Sequence, residues 1–518
     1  MRIIDFFRRG LEHGPDVPAF IDDHGGLTYS QVNFLSEGVA SGLNSVDCCG
    51  QSVAVYSPND PVAFGVMIGI FRAGCRWVPT NMRNAVAVNA ALLRTTDCKL
   101  LFFHYSLAKQ ASQLMQEVPT LLHAVCIDDL PVDVNALTLQ MFMSGSNLPC
   151  PEPLDDPGRI ETVFPTGGTT GLSKAAIWTQ RVWESSIKAF WTCLPSTEPT
   201  VHLVAAPMTH AAGVVALMMM AGSTTNVILP SADATSILEA IQKHKITHLY
   251  LPPTVVYNLL AHPRVREYDY SSLRCMVIAA SPIAPAKLRE AMSVFGPVIC
   301  QSFGQAEAPM FITFLSTQDL LTTPPEKEPG LWASCGRATL GQRVEIMADD
   351  GRILPAGERG EIVVRGDLVF PGYFKNPIAT AEVSEHGWHH TGDIGHKDID
   401  GFIYIVDRKK DMIVTGGFNV FSAEVEQVIA GHPDVEDCAV VAVPDSKWGE
   451  AVKAVVQLKP GRSVDQTELI ALVREKLGSV HAPKTVDFVA QLPRSSNGKV
   501  LKRDVRQAYW VGSDRQVG

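Results

Sequence analysis

The chain has 518 residues, 46% of them hydrophobic, and a formal net charge of -10. That length exceeds what one hydrophobic core usually organises, so two or more domains are expected, and the acidic balance supplies no basic field to attract nucleic acid. The eleven cysteines follow no C-x-x-C or Cys/His spacing, which sets aside a zinc site or a disulfide framework and leaves buried thiols in a reducing cytoplasm as the expectation.

Charges interrupt Met1 to Arg9 before a signal-peptide core could form, so no secretion signal is expected. Strand-like runs at 52–56, 99–103 and 247–251 alternate with helix-like segments such as Pro61 to Ala73. This alternation predicts an α/β architecture with largely parallel, buried strands. The most lipid-like stretch, Ala211 to Gly222, is far shorter than the ~20 residues of a spanning helix; it predicts a buried helix and no transmembrane segment. From about residue 340 the runs 344–347 and 360–365, set off by Asp-Asp-Gly and Pro-Ala-Gly, predict a more antiparallel subdomain. Charged residues at 407–411 mark a domain boundary between 1–409 and 410–518. Beyond it, Ser422 is expected to cap a helix bearing Val425, Val428 and Ile429 and ended by Gly431 and Pro433. Strands near 438–443 and 454–458 follow, then a helix with Leu469, Leu472, Val473 and Leu477 on one face.

Residues 162–176 are an apolar run that opens into a loop of glycines and hydroxyls closing on one lysine. Gly167, Gly168 and Gly171 let the backbone approach an anion closely, Thr166, Thr169, Thr170 and Ser173 add hydroxyl donors, and Lys174 adds charge. Leu172 and Ser173 separate Gly171 from Lys174, which departs from the P-loop of mononucleotide kinases and GTPases. Alone, the segment reads better as a flexible Gly/Thr surface turn. It is followed by Gln301-Ser302-Phe303-Gly304-Gln305-Ala306-Glu307, then 387–393 ending in Thr391-Gly392-Asp393, then Asp407-Arg408-Lys409-Lys410-Asp411, Gly416-Gly417-Phe418-Asn419, and 493–499 ending in Asn497-Gly498-Lys499.

In this order and at these separations the six segments resemble the signature set of the acyl-adenylate-forming, or AMP-binding, superfamily, and within it the acyl-CoA synthetases. The resemblance spans nearly the whole chain. It implies a large N-terminal α/β domain with a β-rich subdomain, plus a small mobile α+β C-terminal domain. ATP, Mg²⁺ and coenzyme A are implied with it. Residues 166–174 would then wrap the β- and γ-phosphates, and Glu307 would hold Mg²⁺ directly or through water. Phe303, within Gln301–Gly304, would stack on adenine, with Ala280, Ser281 and Pro282 on the other side. Asp393 would bind both ribose hydroxyls and Arg408 the sugar. Lys499 would bridge the substrate carboxylate and the α-phosphate, Lys410 would be the hinge, and Gly416 and Gly417 would flank the pantetheine passage. His210, in the 207–213 segment, would line the acyl pocket and the thiol entry; a structural histidine is the equal alternative. Lys447 would meet a CoA phosphate or be an ordinary exposed lysine.

The chain departs from the family pattern at Ser173 for proline, Ala175 for glycine, Phe303 for tyrosine and Ala306 for threonine. The last removes a hydroxyl from the α-phosphate site. The 207–213 segment lacks the aspartate of amino-acid-activating relatives, so a buried substrate ammonium would be unpaired. Ala205, Ala211, Ala212, Val214 and Met218 favour a fatty, alicyclic or aryl acid. Coenzyme A is the expected acceptor, with a carrier protein and an inactive nucleotide-binding homologue as the alternatives. A second copy of the chain, as a homodimer, is the protein partner allowed for.

Overall fold

The structure is a computed structural model that describes residues 1–128, 136–145, 149–166, 174–196, 199–323, 328–494 and 500–510. Its contacts divide the chain into two compact units, residues 1–344 with 364–385, and residues 345–363 with 386–518.

The first unit carries two large sheets. Strand Ser52–Tyr56 lies between parallel neighbours Arg76–Pro79 and Cys98–Phe103 in a seven-stranded sheet that extends, parallel, to Ile160–Pro165. The nine-stranded sheet orders its central strands as Ile299–Gln305, Cys275–Ile278, His248–Leu251, Val201–Val204 and Thr225–Ile228, all parallel. These strands are buried on both faces, which is why they read as unbroken apolar runs. Helix Pro61–Arg72 begins where the Asp60 side chain accepts from the Ala63 N–H at 2.8 Å and proline supplies the first turn. The lipid-like stretch forms helix Ala211–Met219, with residues 212–219 buried in the core. Among the described residues no helix is long and apolar enough to cross a membrane.

The second unit holds the antiparallel pair His389–Lys397 and Ile403–Arg408, which belongs to a four-stranded sheet, and a five-stranded sheet built on the long hairpin Val435–Asp445 and Gly449–Leu458. Helices Ser422–Ala430 and Gln466–Leu477 pack on the latter through Val425, Ile429, Leu469 and Val473. Ser422 is the first helical residue, not the cap. Its hydroxyl donates to Asp407 Oδ2 at 2.8 Å, and the same oxygen accepts from the Ala423 N–H at 3.3 Å, so Asp407 does the capping from the preceding strand. This contact, with the Arg359–Glu424 ion pair at 2.8 Å, ties the four-stranded sheet to the C-terminal residues. Grouping by contact is thus drawn at other residues than the expected division at 409/410.

Candidate active site

Parallel strands bring their C-terminal ends to one edge of a sheet, the usual place for a ligand crevice in open α/β sheets. In the nine-stranded sheet the pairing ends at Ile278↔Gln301; Ala280, Ser281 and Pro282 follow the C-terminal end of one strand, Ser302, Phe303 and Gly304 continue the other, and His210 lies six residues beyond the end of Val201–Val204. Residues 280–282 are exposed, with Ala280 at φ +74°, and Phe303 is half-buried. Gln301 is buried, its side-chain amide donating to the Ser334 carbonyl at 3.3 Å. Gly304 is required by packing: a Cβ there would stand 2.3 Å from the Met310 backbone nitrogen.

Ala306 and Glu307 form the two-residue turn of the hairpin that pairs Gln305 with Ala308. Read alone, Glu307 would be placed on a solvated helix face; here it is buried, 9% exposed. Three contacts hold the turn. Trp178 Nε1 donates to the Ala306 carbonyl at 2.6 Å, the Phe370 N–H donates to the Glu307 carbonyl at 2.9 Å, and the Tyr373 hydroxyl donates to Glu307 Oε1 at 2.5 Å. Lys174 lies against the same tyrosine, its Nζ 5.0 Å from the ring centroid and 3.6 Å from Glu382. Thr166 is buried, and its N–H donates to the Lys174 carbonyl at 2.8 Å, pinning the two ends of the Gly/Thr loop together. Tyr373 thus joins the loop lysine to the glutamate. Sequence reading missed it because its position depends on the backbone bridge Ala176↔Tyr373, which joins residues nearly two hundred apart. Burial first, then the neighbouring Glu307 charge, push its phenol well above the ordinary range, so it stays a donor.

His210 is held in one tautomer. Its Nδ1 lies 2.8 Å from the Thr209 carbonyl, to which it donates, and its Nε2 lies 3.0 Å from the Asn81 amide, from which it accepts. Burial lowers its pKa and keeps the ring neutral. Phe164, stacked on Trp178 at 4.6 Å, flanks it at 6.4 Å between ring centroids. Of the apolar wall candidates, Ala205, Ala212, Val214 and Met218 are buried in the core, and Ala211 is half-buried.

The second unit assembles its own group. The register Asp393↔Arg408 across the antiparallel pair brings Arg408 Nε to 2.5 Å from Asp393 Oδ1. Gly392 precedes Asp393 at φ +71°, and its N–H donates to Glu361 Oε1 at 3.0 Å. Burial would raise the Glu361 carboxyl, but hydrogen bonds from His390 and Lys409 outweigh it and leave the pKa lowered. Lys410 sits in a single turn, Lys409–Asp411, with its pKa lowered by burial. Gly416 and Gly417 are the two-residue loop of the hairpin Ile413–Thr415 and Phe418–Val420, at φ +57° and +82°, the geometry of a tight hairpin turn. A Cβ at Gly416 would meet the Trp448 ring at 2.6 Å, whereas Gly417 faces open space. Lys447 lies on the same ring at 4.6 Å, so Gly416 and Lys447 converge on one indole. Gly167, Gly168, Thr169, Thr170, Gly171 and Lys499 lie outside the described residues.

The described residues form no group of three or more His, Cys, Asp or Glu able to hold a metal. A single buried carboxylate, one oxygen engaged by Tyr373, fits a cation that takes most of its ligands from phosphate and water, as Mg²⁺ does.

A two-sheet α/β unit with a loop lysine, a buried carboxylate and an open strand edge, followed by a small α+β unit, defines the architecture of the adenylate-forming enzymes. The chain belongs to the AMP-binding enzyme family, which it matches over residues 7–374, with the AMP-binding enzyme C-terminal domain over residues 424–499. It is similar to the medium/long-chain-fatty-acid–CoA ligase FadD8 of Mycobacterium tuberculosis, at 36% identity over 90% of this chain and 83% of that one. It is 34% identical to a feruloyl-CoA synthase of an Amycolatopsis species, covering 94% of this chain and 95% of the relative. Among solved structures it resembles the amide bond synthetase McbA of Marinactinospora thermotolerans, with a TM-score of 0.88 and 29% identity over 98% of this chain and 100% of that one. The protein is an enzyme, an AMP-binding ligase whose relatives include acyl-CoA ligases.

Proposed function

We propose that the protein is an ATP- and Mg²⁺-dependent acid–thiol ligase that activates a fatty, alicyclic or aryl acid and delivers the acyl group to coenzyme A. In the first step a substrate carboxylate oxygen attacks the α-phosphorus of ATP, giving acyl-AMP and pyrophosphate. In the second, the CoA thiol, losing its proton, attacks the acyl carbon and AMP leaves. The observation that carries the reading is the contact chain Lys174–Tyr373–Glu307, which puts a cation and a fixed carboxylate at the strand edge that serves nucleotides in this architecture.

In this reading residues 166–174 cradle the β- and γ-phosphates. Glu307 and water hold Mg²⁺, which when bound offsets the phosphate charge. Phe303 and residues 280–282 take the adenine, and Asp393, pre-oriented by Arg408, takes the ribose. Lys499 meets the carboxylate and α-phosphate during adenylation. The chain pivots at Lys410, the boundary between 1–409 and 410–518, so that the Gly416-Gly417 hairpin and Lys447 serve thioester formation in turn. His210, neutral and fixed by Asn81, shapes the acyl pocket as a hydrogen-bonded wall and carries no charge into it. Half-buried Ala211 beside it, and the fatty and feruloyl acids in the names of the two relatives, support an apolar acid.

The test is AMP release from ATP and Mg²⁺ across fatty, alicyclic and aryl acids, with and without CoA. CoA-dependent turnover with one acid class is expected. Adenylate that CoA cannot discharge would move the acceptor to a carrier protein or an amine, and silence across the panel would favour an inactive nucleotide-binding homologue.

A further inference from the structure

None of the eleven cysteines is in a disulfide, and Cys275 with Cys300 and Cys49 with Cys150 bring their sulfurs into contact. Cys275 and Cys300, 3.2 Å apart, lie on adjacent parallel strands and are 5% and 2% exposed, sealed from any oxidant. Cys49 and Cys150, 3.6 Å apart, are both partly exposed. They come from distant connections: Cys49 from the turn between helix Tyr29–Ser45 and strand Ser52–Tyr56, Cys150 from the approach to strand Ile160–Pro165. Nothing in the proposed reaction uses either thiol.

We infer that Cys49 and Cys150 are a peroxide-reactive dithiol that closes to a reversible disulfide. Moving the sulfurs from 3.6 Å to a bond of about 2.05 Å needs side-chain rotation and a small loop shift, because both residues sit in connections and not in strands. The hydrogen bond between the thiols favours ionisation of one of them, and it brings Cys49 down to about 7 despite burial. The two neighbouring thiols are poor competitors. Cys48 is 2% exposed and pushed up to about 11 by burial, and Cys75, fully buried, is pushed higher still and donates to the Cys48 carbonyl at 3.1 Å.

The chemistry balances with a hydroperoxide as oxidant. The Cys49 thiolate attacks one peroxide oxygen, the O–O bond breaks, and hydroxide leaves from a new sulfenic acid. Cys150 then attacks that sulfur, the S–O bond breaks, and its thiol proton leaves with the hydroxyl as water. Two thiols are oxidised by two electrons and one hydrogen peroxide becomes two waters. The bond would staple the turn after Ser45 to the segment holding Glu152 and Pro153. That segment already receives Arg2, whose Nη1 donates to the Pro153 carbonyl at 2.9 Å, and it leads into the strand that delivers Thr166 to the Gly/Thr loop.

The test treats full-length protein with a few equivalents of hydrogen peroxide, then measures thiols in denaturant and maps peptides without reduction. Expected is a loss of two thiols from eleven, a linked pair of peptides containing Cys49 and Cys150, and full recovery with dithiothreitol. Cys49→Ser and Cys150→Ser should each remove the link, and Cys150→Ser should leave a Cys49 sulfenic acid trappable by dimedone. Cys48→Ser, which resolves the adjacent-cysteine ambiguity in mapping, should keep the link. A link through Cys48, Cys75 or the Cys275–Cys300 pair, or no thiol loss before irreversible oxidation, would overturn the assignment.

Discussion

Replacing Tyr373 by phenylalanine removes one oxygen and keeps the ring that Lys174 rests on. The lost bond, 2.5 Å from the phenol to Glu307 Oε1, joins a 7%-exposed tyrosine to a 9%-exposed glutamate. Hydrogen bonds to charged groups contribute about 1.5–3 kcal/mol, and where one partner remains buried the cost falls at the upper end. If that bond holds the carboxylate in its working rotamer, the same free energy appears as roughly a 10- to 150-fold loss of kcat/KM for adenylation. Pyrophosphate exchange into ATP measures that half-reaction alone, and acyl transfer from supplied acyl-AMP measures the other. The expected outcome is a loss in exchange, with the apparent KM for MgATP raised and acyl transfer little changed. Exchange within about threefold of wild type in a folded variant would refute a positioning role for Tyr373. An equal fall in both half-reactions would refute the link to Glu307.

Lys499→Ala should abolish pyrophosphate exchange and leave acyl transfer from supplied acyl-AMP largely intact; equal loss in both would remove Lys499 from its adenylation role. Gly417→Leu should do the reverse, because the thiol passage is assigned to that hairpin. Gly416→Ala combines left-handed strain of about 1–2 kcal/mol with a methyl group 2.6 Å from the Trp448 ring, while Gly417→Ala meets nothing within 4 Å, so Gly416→Ala should lower the unfolding midpoint further; equal shifts would contradict the packing. His202 and His248, 1% and 6% exposed, are each pushed down to about 4 by burial. Their folded pKa lies below the unfolded value of about 6.5, so the unfolded chain binds more protons between the two. Stability should therefore fall as pH drops from about 6.5 to about 4, by up to about 3 kcal/mol per histidine. Denaturant unfolding against pH should show that slope, and a His202→Asn variant with an unchanged slope would count against it.

Much of this enzyme is written in local patterns. The mostly apolar runs at 52–56 and 247–251 read as buried strands and Pro61 to Ala73 as a helix, because such patterns act over a few residues. The family resemblance that the ordered motifs carry likewise singles out Lys174, Glu307, Asp393 and Arg408 as the expected site residues. What local pattern does not contain is register between distant strands. The bridge between Ala176 and Tyr373 puts a phenol on Glu307. The antiparallel register of 393 with 408 turns two separate motifs into one ion pair. Asp407, and not Ser422, caps the helix that follows it because the strand end delivers a carboxylate to the first turn. Cys49 and Cys150 are a hundred and one residues apart and meet only because two connections fold onto each other. Each of these contacts is chosen by long-range packing, whose free energy depends on which surfaces meet and so appears only in the folded chain.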